Sequence, residues 1–420
     1  VEHMAFKGTE TIGSFDYGAE QNVLAQIEVE WLALEYLRKN GTPEEIAAQE
    51  ERFTNARAAS QELAEPAALD DLLGINGGVG VNATTAYDRT SYVVELPANR
   101  LELYARIYGD VLRNPVFRQF YEERDVVREE RRSRTEDDPQ GFLLEAFVAE
   151  AFEVHPYGRS LIGTNEEIDS YSKSAALAFF ERYYQPNRAV LALVGDVDVE
   201  RDLPIIEKYF ADIESSPDLR PRIPTEPPQT AERRVTVEYD AESQIMIGYH
   251  KPTYPERDAY VLDLLSAVLS RGRTSRLYER MVLQDQIAIS ASTTSSYPGT
   301  RFPNLFVFFG SPQQPATVED LEQTFYEELA RVQTELVTPE ELEKVKNQVR
   351  ANTVRGLASA SGLASRLAFY ELFYGGWQNL ISDLEIYDSI TAEEIRTAAN
   401  TYFAPENRMV GILLTEGASE

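Results

Sequence analysis

Apolar residues recur at spacings of three and four through residues 21–39, where Leu24, Ile27, Trp31 and Leu34 share one side, predicting a helix. Asn40-Gly41 ends it. Thr42-Pro43-Glu44-Glu45 then starts another: Thr42 is the N-cap, Pro43 takes the first helical position and Glu45 closes a capping box. This second helix is expected to run to about Leu63, so that residues 18–65 form an antiparallel helical hairpin with a mostly polar surface. Trp31 and Tyr36 read as packing residues, and the hairpin is expected to tolerate shortening without unfolding its domain. After the Gly-rich turn 76–80, residues 81–85 read as a strand, Asp88-Arg89 as a turn and residues 90–97 as the returning strand. Residues 101–112 and 142–152 read as helices, and residues 189–194 as a strand.

The chain repeats itself. Residues 181–187, ending in Gln185-Pro186-Asn187, return as residues 402–407 around Pro405-Glu406-Asn407, with Pro186 and Pro405 standing 219 apart. Residues 168–171 match residues 387–390 at the same offset. Between the copies Pro221, Pro224, Pro227 and Pro228 crowd into an extended linker. The expected organisation is a first domain over 1–215, a linker over 216–233 and a second domain over 234–420. In the second domain strands are expected at 234–239, 244–249, 287–295 and 305–310, and helices at 258–269, from Gly272 onward, from the Thr338 cap to Thr353, and at 360–372. Gly375-Gly376-Trp377 reads as a turn anchored by Trp377. The fold class is α+β: two homologous domains, each a mixed, mostly antiparallel sheet with helices on one face.

Charge narrows the range of partners. With 70 acidic against 40 basic residues the net charge is -30, which argues strongly against nucleic acid. There is no cysteine, so disulfides and thiolate metal ligands are excluded. No run of 18 apolar residues offers a membrane span.

Candidate chemistry gathers in two places. Residues 123–139 are charged and helical in composition, and Glu123 and Glu130 stand seven apart, on one face of a helix. The chain opens Val1-Glu2-His3-Met4-Ala5-Phe6-Lys7-Gly8-Thr9, expected as the middle and end of another helix. Taken alone, a Glu-His pair is a weak signal, and two glutamates among 70 acidic residues read by default as a solvated face.

Together the two strings resemble the inverted zincins of the pitrilysin and mitochondrial-processing-peptidase family, peptidase family M16. The opening is similar to the end of an H-x-x-E-H motif followed by M-x-F-K-G-T, and residues 123–130 are similar to the family's second signature. The resemblance implies one Zn2+, with His3 and Glu130 as ligands and a further histidine two positions before Val1, outside this chain. Glu2 would be the general base on the zinc-bound water, and Glu123 the second catalytic carboxylate, orienting a ligand histidine. It implies a zinc metalloendopeptidase acting on peptides or unfolded polypeptides. Asn82, Ala83 and Thr84 would hold the peptide as an added strand; the alternative is an ordinary edge strand. The separation of His3 and Glu130 exceeds the family's usual one, and the hairpin over 18–65 accounts for the excess.

Further strings carry the resemblance. His155-Pro156-Tyr157-Gly158 is similar to a family loop, where His155 is expected to make a structural hydrogen bond; His250 is read as structural too. An Arg and a Tyr that the family carries in its second half are replaced by Val282 and Ile289, although Arg276, Arg280, Tyr278 and Tyr297 lie nearby. This implies a heterodimer in which a metal-free paralogue supplies that Arg/Tyr pair. The rival readings are a catalytically silent or scaffold subunit of a heteromeric peptidase complex, and a processing peptidase of the mitochondrial type. The expected location is a bacterial periplasm or cytoplasm.

Overall fold

The computed structural model describes residues 1–65, 67–215 and 222–417. These divide into two compact units: one from the described residues of Val1–Thr85, Arg89–Arg131 and Ile162–Arg220, the other from those of Ala86–Asp88, Arg132–Leu161 and Pro221–Glu420. Residues 216–221 of the expected linker lie outside the described residues.

The first unit is mostly helical. Its hairpin consists of the helices Tyr17–Asn40 and Pro43–Gln61, and the Thr42–Glu45 capping box forms in both directions. The hairpin is no detached decoration. Leu24, Ile27, Trp31, Leu34 and Phe53 share a core with Phe117, Phe120, Tyr121 and Phe180. Trp31 lies 5.4 Å from the Phe53 ring and 5.1 Å from Tyr121, while the Arg124 guanidinium sits 4.0 Å over its face. The expectation that the hairpin can be shortened freely is therefore overturned, because its apolar stripe is one wall of that core. Tyr36, off the stripe, is exposed and packs nothing into it.

β1 (Val79–Ala86) and β2 (Arg89–Glu95) form a two-stranded sheet. The helix Phe120–Arg131 carries both signature glutamates, and its last turn widens at Arg132–Glu136.

The second unit is built on one five-stranded sheet. Its strands are β3 (Arg233–Tyr239), β4 (Gln244–Lys251), β5 (Ala288–Tyr297), β6 (Asn304–Pro312) and β7 (Arg408–Thr415), in the order β3-β7-β4-β6-β5. β3 and β7 run parallel, and the other pairs are antiparallel. One face packs on a large core in which Phe308 and Phe325 stack 4.3 Å apart. On the other face the helix Pro139–Ala151 lays Leu143, Phe147 and Val148 against Met246, Leu305, Val307, Met409 and Leu413. Trp377, expected to anchor its turn, is about half exposed. The helix expected from Gly272 onward is confined to a short, widened turn at Tyr278–Gln284.

The duplication is visible residue for residue. The helix Lys173–Tyr183 and the helix Ala392–Tyr402 stand at the offset of the sequence repeat, as do the 3-10 turns Pro186–Arg188 and Pro405–Asn407. After the second turn comes β7. After the first, the expected strand at 189–194 does not form, since among the described residues no strand lies beside it to complete its hydrogen bonds.

Candidate functional site

The front of the chain is not the helix expected from its sequence. Only His3–Phe6 makes a single 3-10 turn. The backbone then reverses, and Arg118 holds the reversal. Its guanidinium donates to the carbonyls of Lys7 at 2.5 Å, Thr9 at 3.2 Å and Ile12 at 3.1 Å. The same group pairs in a fork with the Glu20 carboxylate at 2.6 and 2.8 Å, both side chains being fully buried. Gly8 and Gly13 have φ of +85° and +97°, and an added Cβ would lie 2.2 Å from the Ile12 carbonyl oxygen and 2.8 Å from Arg118 Nη1 respectively. The loop admits no side chain at either point.

Held this way, the front turn faces the helix Phe120–Arg131. His3 Nδ1 lies 3.0 Å from Glu123 Oε2, and His3 Nε2 lies 3.8 Å from Glu130 Oε2. The Lys7 ammonium is 2.5 Å from the other oxygen of Glu123. The hydrogen bond that His3 donates to Glu123 holds the imidazole above its usual pKa, against the opposing effect of burial. Glu123 is correspondingly held below the usual carboxylate range, first by His3 and then by Lys7. Glu2 turns the other way, its carboxylate accepting from the Thr85 hydroxyl at the end of β1. Thr85 in turn lies 3.5 Å from the Thr90 hydroxyl of β2.

The structure thus brings Glu2, His3, Glu123 and Glu130 to one place, and sets Asn82, Ala83 and Thr84 on β1, the strand that carries Thr85. Sequence reasoning missed the roles of Lys7, Thr85, Arg118 and Glu20. Lys7 stood inside the quoted M-x-F-K-G-T string; the other three carried no local signal.

The expected zinc centre has to be corrected. A catalytic zinc takes three protein ligands. Here Glu123 is committed to His3 Nδ1 and Lys7, and Glu2 to Thr85, which leaves His3 Nε2 and Glu130. Among the described residues no three His, Cys, Asp or Glu side chains are grouped so as to hold a metal ion. The donor set does not fit Zn2+. The assignments of a zinc cofactor and of a zinc metalloendopeptidase activity, with Glu2 as base on a zinc-bound water, fall with it.

The positions and the arginines named for the family's Arg and Tyr are otherwise engaged or exposed. Val282 packs against the large core and Ile289 is exposed. Arg276 pairs in a fork with Glu341 at 2.7 and 2.9 Å, and Arg280 is bound to Glu327 and Glu328. No helix among the described residues is long and apolar enough to cross a membrane.

Comparison with known proteins bears on the family as a whole. Residues 60–165 match the family described as Insulinase (Peptidase family M16), and residues 170–349 match the Peptidase M16 inactive domain. The chain is 30% identical over 345 residues to the zinc protease PqqE of Helicobacter pylori, covering 80% of this chain and 76% of that protein. A crystal structure of a protease from Helicobacter pylori superposes with a TM-score of 0.77 at 26% identity, covering 83% of this chain and 84% of the other. A peptidase M16 inactive domain from Pseudomonas fluorescens, at 15% identity, shares the fold alone, with a TM-score of 0.74 over 84% of each chain. Two duplicated α+β units, the paired signature strings and these relatives lead to one assignment: the chain belongs to peptidase family M16.

Proposed function

We propose that this chain is a catalytically silent, polypeptide-binding subunit of a heteromeric M16 peptidase. The observation that carries the reading is the donor set around His3: two candidate ligands, with the neighbouring carboxylates already engaged by Lys7 and Thr85. Binding rests on β1. It pairs with β2 only, so among the described residues its other edge carries no strand, and a peptide can add there through backbone hydrogen bonds that tolerate many sequences. Asn82, Ala83 and Thr84 are the residues of that edge.

Hydrolysis then falls to a homologous subunit that carries a complete metal site. This reverses the division of labour implied by the sequence, in which the partner was the metal-free one. The replacement of the family's Arg and Tyr by Val282 and Ile289 fits a subunit that binds without reacting. A bacterial periplasm or cytoplasm is the proposed setting, in keeping with the bacterial relatives.

The test is to supply the purified chain with zinc, then measure metal content, hydrolysis of a quenched fluorescent peptide, and binding of a labelled unfolded polypeptide. The expected result is binding without stoichiometric zinc and without turnover. One zinc per chain together with turnover would overturn the reading.

A further inference from the structure

The duplication extends to the contacts that hold the helices of each unit together. In the first unit Arg124 donates to the carbonyls of Asp169 and Tyr171 at 3.1 and 3.3 Å, and one nitrogen of Arg128 holds both oxygens of the Asp169 carboxylate at 2.5 and 2.6 Å. In the second unit Lys346 donates to the carbonyls of Asp388 and Ile390 at 2.8 and 2.6 Å, and one nitrogen of Arg350 holds both oxygens of the Asp388 carboxylate at 2.8 and 3.0 Å. Asp169 and Asp388 stand at the offset of the sequence repeat, and the two cations of each set are one helical turn apart. A hydroxyl then caps the following helix in both units, Ser172 for Lys173–Tyr183 and Thr391 for Ala392–Tyr402.

What lies over this shared framework differs. In the first unit it is the hairpin helix Tyr17–Asn40. Its Leu24, Ile27 and Trp31 are buried there, with the Arg124 guanidinium 4.0 Å over the Trp31 ring. Glu28 accepts from the Tyr121 hydroxyl at 2.7 Å and from the Ser174 backbone N–H at 3.1 Å. In the second unit the same place is an open groove of about 680 Å³. Leu336 and Pro339 are exposed in it, Leu342 and Ala392 are half-buried, and the buried Val337 and Ile390 lie beneath. Most of its polar groups are already engaged. The Thr338 and Thr391 hydroxyls accept from the Glu341 and Glu394 backbone N–H, and the Ser389 hydroxyl donates to the Ile386 carbonyl. Asp388 is held by Arg350, and Lys346 by its two carbonyls. Glu393 stands exposed at one side.

The chain also carries a helix stripe without a seat. On the outer side of the same hairpin helix Val29, Leu32 and Tyr36 are 60, 52 and 66% exposed. They repeat the spacing of Leu24, Ile27 and Trp31, three residues and then four, and end likewise in an aromatic ring. An exposed apolar stripe of this kind marks an association surface. We propose that the groove seats this outer stripe from a second copy of the chain, with Tyr36 over Lys346 as Trp31 lies over Arg124. The ring then faces an ammonium. In this arrangement the place of Glu28 falls to Ala33 and that of Ser174 to Glu393, so the contact sets no two carboxylates together. The contact is head-to-tail, one stripe against one groove, and it rests on the repeat and not on the reading of the His3 site.

The experiment is sedimentation velocity on the full chain at concentrations up to about 300 µM. Reversible, concentration-dependent association is the expected result. Leu32→Glu on the stripe and Leu336→Glu in the groove each bring a charge into the contact from an exposed position, and each should weaken association by about tenfold or more. An equimolar mixture of these two variants should recover association, since each retains the surface that the other has lost. Tyr36→Glu, exposed as well, takes the place of Leu32→Glu if that variant melts below the wild-type chain. A chain that stays monomeric throughout, variants that associate as well as wild type, or a mixture that associates no better than either variant alone would each overturn the proposal.

Discussion

Arg118 and Glu20 are joined by a two-pronged, fully buried ion pair whose remaining donors grip the loop behind His3. The pair is therefore both a core element of the first unit and the support of its candidate site. Removing one partner strands the other charge in the interior. Arg118→Met is expected to destabilise the protein by about 3–5 kcal/mol, read from urea denaturation. The same variant should release the His3 turn, seen as loss of the His3–Glu123 coupling in the His3 NMR titration. A loss of stability under about 1 kcal/mol would show that the loop holds itself.

Trp31→Ala is expected to cost about 3–5 kcal/mol, since the ring is enclosed by Phe53, Tyr121 and Arg124. Deleting residues 18–65 should abolish cooperative unfolding of the first unit altogether. A calorimetric melt of the deletion variant that keeps the transition of that unit would contradict the shared core.

Glu341 gives a pH-dependent stability term. Arg276 holds its carboxyl down at about 2, from an ordinary value of 4.5. A depressed carboxylate stabilises the fold fully above its unfolded pKa, and that stability is lost as pH falls through the folded value. Glu341→Gln should cost about 2 kcal/mol near pH 7. The gap between variant and wild type should then close between about pH 4.5 and pH 2 in thermal melts. A gap that stays constant across that window would remove the ion pair as its cause.

Ala83→Pro tests the β1 edge. Proline removes a backbone donor from the strand. Binding of an unfolded polypeptide, followed by fluorescence anisotropy, is expected to weaken by about tenfold, the loss of one or two backbone hydrogen bonds. Unchanged affinity in a variant with an unchanged melt would exclude this strand as the docking edge.

What could be read from the sequence was local or repeated. The Thr42–Glu45 capping box, the stripe ending in Trp31 and Leu34, and the duplication at a fixed offset all declare themselves within a few residues or by comparison with a second copy. What escaped depends on partners far along the chain. Arg118 and Glu20 are 98 residues apart and look like any other surface charges. Residues 189–194 have the composition of a strand, but a strand exists only through the backbone of a neighbour. The metal centre was inferred from single residues that match a motif. The number of donors that converge is a property of the folded site, and among the described residues it falls short of three.

The order of the second sheet has a consequence for how the protein is made. β7, the last strand among the described residues, lies between β3 and β4 and is there the only neighbour of β3. Until residue 415 has emerged from the ribosome, β3 has no partner and β4 has one open edge. The helix Pro139–Ala151 must also wait, because Met409 and Leu413 complete the surface that Phe147 and its neighbours cover. The earlier strands of this unit are synthesised long before they can be buried, with their hydrogen-bonding edges open to other nascent chains. Chaperone dependence during translation should accordingly fall on the second unit, and end in a single step with the arrival of β7.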